Sequence, residues 1–228
     1  MRSYDDGCPA AHALDLVGER WSLLIVRELL LGPKRFTDLR SGLRGASANV
    51  LTERLRALEA GGVVRRRKLP PPAASQVYEL TEWGRGLEGI IVQFLRWGAR
   101  SPAMPLDTRI GTDALILSLR TLFLPTAARG LELAIQLEIG DRYFSAEVVD
   151  GTLLIMPGLI EHPHAVVTAD AETLKRLTIG TRSLEVAVHA ERATVTGDKA
   201  SAERFLDLFR LPESAGAARP DFEGRSGA

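Results

Sequence analysis

The stretch Lys34–Glu79, KRFTDLRSGLRGASANVLTERLRALEAGGVVRRRKLPPPAASQVYE, decides how the rest of this 228-residue chain is read. Leu51, Leu55 and Leu58 recur at i, i+4 and i+7, the spacing of a stripe buried along one side of a helix. Ser47 stands where an N-cap is needed, and Gly61 where the helix must turn away at C′. A short helix and a tight turn precede it. Two strand-like runs follow, Val63–Leu69 and Val77–Leu80, separated by PPPAASQ, which Pro70–Pro72 should make stiff and extended. Helix, turn, helix and hairpin in this order make a winged helix-turn-helix, whose second helix enters the major groove of DNA. At about 100° per residue from Leu51, Asn49, Glu53 and Arg56 lie within roughly 40° of the opposite pole, with Thr52 on a flank.

The candidate DNA contacts are therefore Ser47, Asn49, Thr52, Glu53, Arg54 and Arg56 of the helix, with Arg65, Arg66, Arg67 and Lys68 of the wing. Asn49, Glu53 and Arg56 are free to meet base edges; the bland reading is an ordinary solvated face. Arg54 lies nearer the flank, where a phosphate contact or an internal ion pair is expected instead of base readout. The wing cations are either phosphate contacts, with alternation turning about half of them to DNA, or charges that protect a strand edge.

On the N-terminal side, AHALDLVG reads as a short helix with Ala11, Leu14 and Val17 on one side, ended by Gly18. ERWSLLIVRELLLGP follows as a helix with Trp21, Leu24, Ile25 and Leu29 inward, stopped by Gly32-Pro33. On the C-terminal side Thr81 caps one helix, Glu82–Arg100, that places Leu87, Ile90, Ile91, Phe94 and Leu95 on a single face. That is more apolar surface than a small winged domain covers alone, so this helix is expected to pack on a second copy in a homodimer.

Residues 101–112 carry Pro102 and Pro105 without periodicity and read as a linker between a first domain, 1–100, and a second, 113–211. In the second, ALILSLRTLFLP is a helix apolar on most sides. LELAIQLEI then alternates cleanly, and Gly140-Asp141 and Asp150-Gly151 bracket RYFSAEVV and lead into TLLIM, so three consecutive strands form an antiparallel meander. AVVT is a fourth strand, Asp170 caps AETLKRLTI, Gly180 closes it, and RATVT turns at Gly197-Asp198 into KASAERFLDLFRL. SLEVAVHAE fits strand or helix by pattern alone. The expected class is α+β in two domains, the second an antiparallel sheet covered by helices. The tail 212–228 has too little apolar surface to offset its ordering entropy and is expected to be disordered.

Composition bounds the function. The net charge is zero over 29 basic and 29 acidic residues, but residues 1–100 hold 16 Lys and Arg against 11 Asp and Glu, which leaves 13 against 18 for the rest. The first half is thus +5 and the second −5, which suits a polyanionic partner for the first half only. Double-stranded DNA is that partner. No signal peptide or membrane-spanning run is read, so no membrane partner and a cytoplasmic location are expected. The single cysteine, Cys8, forms no internal disulfide; a mobile N-terminal arm would leave it accessible, and the bland reading is a small apolar residue. His162 and His164 flank a proline, and Glu161 would have to complete any metal site; no ligand spacing supports one. Neither a catalytic constellation nor a cofactor motif is present, so no enzyme and no cofactor are expected.

The string CPAAHALDLVGERWSLLIVRELLLGPKRFTDLR, then LTERLRALEAGGVV, then YELTEWGRGL, resembles the HxlR-type winged-helix regulators, relatives of the MarR group, over roughly the first 100 residues. The resemblance implies a homodimeric transcription factor. Pro70–Pro72, Ala73 and Ala74 depart from it, since a member more often carries charge at the wing tip. The second half resembles the sterol-carrier-protein-like fold on ADAETLKRLTIG and RATVTGDKASAERFLDLF, which turns SLEVAVHA toward helix. That fold implies an apolar tunnel for a small hydrophobic ligand, here lined by Leu119, Phe123, Leu133, Ile135, Leu137, Leu174, Leu177, Phe205 and Phe209. The alternatives are a regulator whose second domain is purely structural, with redox sensing by Cys8, and, in another class, a lipid carrier or scaffold.

Overall fold

The structure is a computed structural model that describes residues 3–71 and 74–216. Pro72 and Ala73 of the expected wing tip, and residues 217–228 of the expected disordered tail, lie outside the described residues.

The N-terminal elements are α1 (Pro9–Val17), α2 (Ser22–Leu29), α3 (Phe36–Gly42), α4 (Ala48–Ala60), the antiparallel pair β1 (Val64–Lys68) and β2 (Gln76–Leu80), α5 (Glu82–Arg85) and α6 (Leu87–Ala99). One apolar cluster joins them: Leu51, Leu55 and Leu58 of α4 meet Ile25, Val26 and Leu29 of α2, all essentially inaccessible. Burying each such side chain is worth about 1.5–3 kcal/mol, so this stripe fixes how α4 sits.

Four local expectations are corrected here. The left-handed residue after α4 is Gly62, at φ +72°, and not Gly61, which stays helical as the C-cap. The expected single helix Glu82–Arg100 breaks at Gly86 into α5 and α6. Gly84 supplies the reason for a tight corner: a Cβ there would lie 2.1 Å from the Val63 carbonyl oxygen. On α6 the expected single apolar face is two faces: Ile91 is buried and Leu87 and Leu95 pack in the cluster, while Ile90, Phe94 and Trp97 are exposed. Leu24, expected inward, is likewise exposed, and so is Leu14, expected on one side of its helix with Ala11 and Val17, which are buried.

The C-terminal elements are α7 (Thr112–Leu122), β3 (Glu132–Ile139), β4 (Arg142–Val149), β5 (Thr152–Pro157), β6 (Ala165–Ala169), α8 (Ala171–Thr178), α9 (Leu184–His189), β7 (Ala193–Gly197) and α10 (Lys199–Leu206). SLEVAVHA is helical, with Ser183 as the cap of α9. The sheet runs β5-β4-β3-β6-β7 and is mixed, correcting the antiparallel expectation: β6 lies parallel to β3. After the meander the chain recrosses the sheet instead of adding at the β5 edge. Gln136 pins this crossing. Its amide nitrogen donates to the Phe144 and Gly158 carbonyls at 3.1 and 3.3 Å, and its oxygen accepts from the Ile160 amide at 2.9 Å. His164 is part of the same register, its Nδ1 accepting from the Ala134 amide at 2.9 Å.

The two halves meet. α7 packs on α2 and α6, and the Asp113 carboxylate of α7 accepts from Lys34 on one side and from Arg142 of β4 at 2.7 Å on the other. Arg120 of α7 joins Glu88 of α6 at 2.9 Å to the Ile155 carbonyl of β5 at 2.6 Å. The linker is also held: Lys175 Nζ donates to the Leu106 and Thr108 carbonyls at 2.7 and 2.8 Å. Among the described residues no helix is long and apolar enough to cross a membrane.

Candidate nucleic-acid interface

α4 begins where Ser47 accepts the Val50 amide at 3.3 Å, leaving the helix to start at the α3–α4 turn. Because one side is locked into the core by the leucine stripe, Asn49, Glu53 and Arg56 are all exposed on the other. Thr52 bonds back to the Ala48 carbonyl at 2.8 Å and sits half-buried. Arg54, for which phosphate contact and internal pairing both stood open, lies 3.3 Å from Glu19 and 3.4 Å from Glu53, with its side chain 18% exposed. It braces α4 against the start of α2 and draws charge away from Glu53.

The wing is less free than its sequence suggests. Arg65 stands opposite Glu79 in the β1–β2 register, and Glu79 takes Arg65 at 2.8 Å and Arg67 at 2.9 Å. Burial alone would raise the Glu79 carboxyl, but the Arg67 and Arg65 guanidiniums hold it below the usual carboxylate range. On the other side of the strand Arg66 pairs with Glu59 of α4 at 2.8 Å, which ties wing to reading helix. Lys68 is exposed and carries no ion pair among the described residues. Four wing cations thus face two carboxylates, and the excess sits toward the wing tip.

Two cations escaped the sequence reading. Arg40 at the end of α3 and Arg44 in the α3–α4 turn are exposed and unpaired among the described residues. The signal was the RSGLRG run that frames the turn. Lys34 is part of the same head: its amide and carbonyl bond to the carbonyl and amide of Tyr78 at 2.9 and 2.8 Å, laying the chain before α3 beside β2.

Away from the reading face, Ile90, Phe94 and Trp97 of α6 are 58%, 60% and 74% exposed. Ile90 and Phe94 border an apolar groove of about 340 Å³ whose other wall is Val17, Leu23 and Leu24 of α1 and α2. Cys8 is exposed at the N-cap of α1, its amide donating to Asp6 at 2.9 Å.

The nine residues expected to line a ligand tunnel form part of one closed cluster. All but Phe123 are at most 5% exposed, and Phe209 meets Phe205 edge-on and Phe123 at a tilt, with ring centres 5.0 and 6.0 Å apart. Neither the α1–α2–α6 groove nor a larger cleft between the two halves is lined by any of them.

Residues 16–104 match the model of the HxlR-like helix-turn-helix family. The chain is 38% identical over 96 residues to the HTH-type transcriptional regulator YybR of Bacillus subtilis, covering 41% of this chain and 74% of that one. To the HTH-type transcriptional regulator YodB of Bacillus subtilis it is 36% identical over 91 residues, covering 40% and 81%. A solved structure of the redox regulator HypR in its oxidized form is 36% identical, with a TM-score of 0.38, over 40% of this chain and 94% of that one. Three quarters of YybR is thus spanned at 38% identity, the family model matches from the end of α1 through α6, and the chain belongs to the HxlR-like helix-turn-helix family of transcriptional regulators.

Proposed function

We propose that this regulator acts as a homodimer, each copy laying α4 in a major groove with Asn49, Glu53 and Arg56 toward base edges while Lys68 and Arg66 of the wing meet phosphates. The observation that carries this is the division of α4 itself: three leucines on one side essentially inaccessible, three polar side chains on the other exposed, next to a wing with surplus positive charge. A regulator that reads one groove recognises only a few base pairs, so a second copy is required, and the exposed Ile90–Phe94–Trp97 face with its adjoining groove supplies the surface. The test is selection of bound duplexes from a random pool. A pseudo-palindrome with half-sites about 10 base pairs, or a multiple, apart supports the reading; recovery of no preferred sequence sinks it.

For the C-terminal domain the packing of Leu119, Leu133, Ile135, Leu137, Leu174, Leu177, Phe205 and Phe209 favours a structural body docked on the head over a hydrocarbon-filled tunnel. A hydrophobic effector would have to open this cluster. Thermal shifts with fatty acids and polycyclic hydrophobes decide between the two, since a ligand that enters raises the melting temperature and a packed core gives no response. Cys8 supports a second mode of control: it is exposed at the N-cap of α1, the helix whose far end, Val17, reaches the apolar groove, so its oxidation would act on the dimer surface through that helix. Diamide treatment that changes DNA affinity in the wild type but not in Cys8→Ser would establish it; equal responses refute it.

A further inference from the structure

Trp21, the N-cap of α2, adopts the left-handed region at φ +80° and ψ −20°. The other non-glycine residues with positive φ among the described ones are Asp5, Ala74, Asp150 and Glu191, none of them aromatic. A bulky side chain on this backbone is a genuine outlier, and such strain persists only where the surroundings over-determine it. Glycine would adopt the same backbone freely. What holds the conformation is therefore the indole ring and what it touches.

The ring reaches the turn from which the reading helix starts. A Cβ on Gly45 would lie 2.6 Å from Trp21 Cη2 and 3.3 Å from Cζ2, closer than side chains pack. Gly45 lies outside the left-handed region and is exposed, so its backbone would accept a side chain and the ring alone keeps it bare. The turn is closed by the Ala46 amide donating to the Leu43 carbonyl at 2.8 Å, and both residues are buried. Gly45 stands two residues before the Ser47 cap and four before Asn49. The two residues ahead of Trp21 add to the same bracket. Glu19 takes Arg54 of α4 at 3.3 Å, and the Arg20 guanidinium lies 5.3 Å over the indole centre.

The leucine stripe decides which side of α4 faces the core, but contacts along one stripe leave the N-terminal end of the helix free to tilt. We propose that Trp21 is a positioning residue for base recognition: its ring is a strut against the Gly45 turn that sets the tilt of α4, and with it the placement of Asn49 at a base edge. A bidentate contact to a base needs both distance and direction and is lost on a displacement of about 0.5–1 Å. Long cations on phosphate tolerate the same displacement, so the strut governs discrimination and not affinity in general. That Trp21 serves base recognition rests on the reading of α4 above; that its ring sets the turn does not.

The experiment uses the full chain with Gly45→Ala, Trp21→Phe and the double variant. The added methyl pushes on the indole, whereas the shorter phenyl ring leaves it room. Two readouts are taken beside melting curves: hydrogen exchange of the Val50 and Leu51 amides, which Ser47 holds at 3.3 and 2.9 Å, and the ratio of affinities for a selected and a random duplex. Gly45→Ala should speed that exchange and lower the ratio about tenfold while random-duplex affinity stays within about twofold. Trp21→Phe should lower the ratio as well. Adding Gly45→Ala to Trp21→Phe should then change neither readout further, because the methyl no longer meets the ring. Trp21→Leu serves as the background if Trp21→Phe fails to fold. Exchange and ratio at wild-type values in Gly45→Ala overturn the proposal. So does an effect of Gly45→Ala that is equally large without the indole, or a loss that is the same on both duplexes, since either reports general destabilisation. If the wild type prefers no sequence, the base-reading role of α4 falls, and the exchange of Val50 and Leu51 alone decides whether the strut stands.

Discussion

Lys68 and Arg66 sit one residue apart in alternation on β1, yet the structure makes them unequal, and the difference is measurable. Each phosphate neutralised by a protein cation steepens the fall of log K with log salt by about 0.9, which is roughly a 3.5-fold loss of affinity per contact between 50 and 200 mM salt. Lys68 has no carboxylate partner among the described residues, so Lys68→Ala should remove nearly the whole of one such increment. Arg66 is held at 2.8 Å by Glu59, and part of its charge is already answered inside the protein. Arg66→Ala should therefore flatten the slope by clearly less. Glu59→Gln should do the reverse, releasing Arg66 to the backbone and steepening the slope toward another increment of about 0.9. Fluorescence anisotropy on one duplex, titrated in salt for the three variants, gives the three slopes directly. A Lys68→Ala slope equal to that of the wild type would show that the wing does not lie on phosphate; equal effects of Lys68→Ala and Arg66→Ala would refute the role given to Glu59.

Asn49→Ala and Arg56→Ala should each weaken the preferred site by about 1–3 kcal/mol and leave random DNA nearly unaffected, because base-edge contacts carry the discrimination; a loss that is the same on both duplexes contradicts base readout. Replacing Phe94 by Glu should give a folded monomer in light scattering, since its side chain is already 60% exposed and contributes little to the head's own core; a dimer that persists places the interface elsewhere. Asp113→Ala leaves Lys34 and Arg142 facing each other at the domain junction and should cost about 3 kcal/mol, lowering the melting temperature by roughly 6–12 °C for a chain of this length. Burial would raise the Asp113 carboxyl, but Arg142 and Lys34 hold it below the usual range. A depressed carboxylate stabilises the fold above its unfolded pKa and loses that contribution as pH falls through its folded value. The stability gap between wild type and Asp113→Ala should thus be full at neutral pH and close on acidification below the ordinary carboxylate range; a gap constant with pH would show that packing, not charge, is lost.

The head was legible in the sequence because its determinants are local. The spacing of Leu51, Leu55 and Leu58, the Ser47 and Thr81 caps and the Arg-rich strand each state their structure within a few residues, and the exposed side of α4 follows from the buried one by helical geometry. The same holds for the hairpins at Gly140 and Asp150 and for the caps Asp170 and Asp198. What the tertiary structure decided involves partners distant along the chain. Whether Arg65 and Arg67 are free depends on Glu79, which the hairpin brings opposite; whether Ile90 or Ile91 faces out depends on where α2 lies; whether β6 runs parallel to β3 depends on Gln136 catching the Gly158–Ile160 crossing. The meeting of Lys34, Asp113 and Arg142 shows no sign in the sequence at all, because a carboxylate 79 residues from one cation and 29 from the other has no periodicity to betray it. Local patterns fix elements through backbone geometry, whereas charge pairing and packing between elements exist only once the elements have docked.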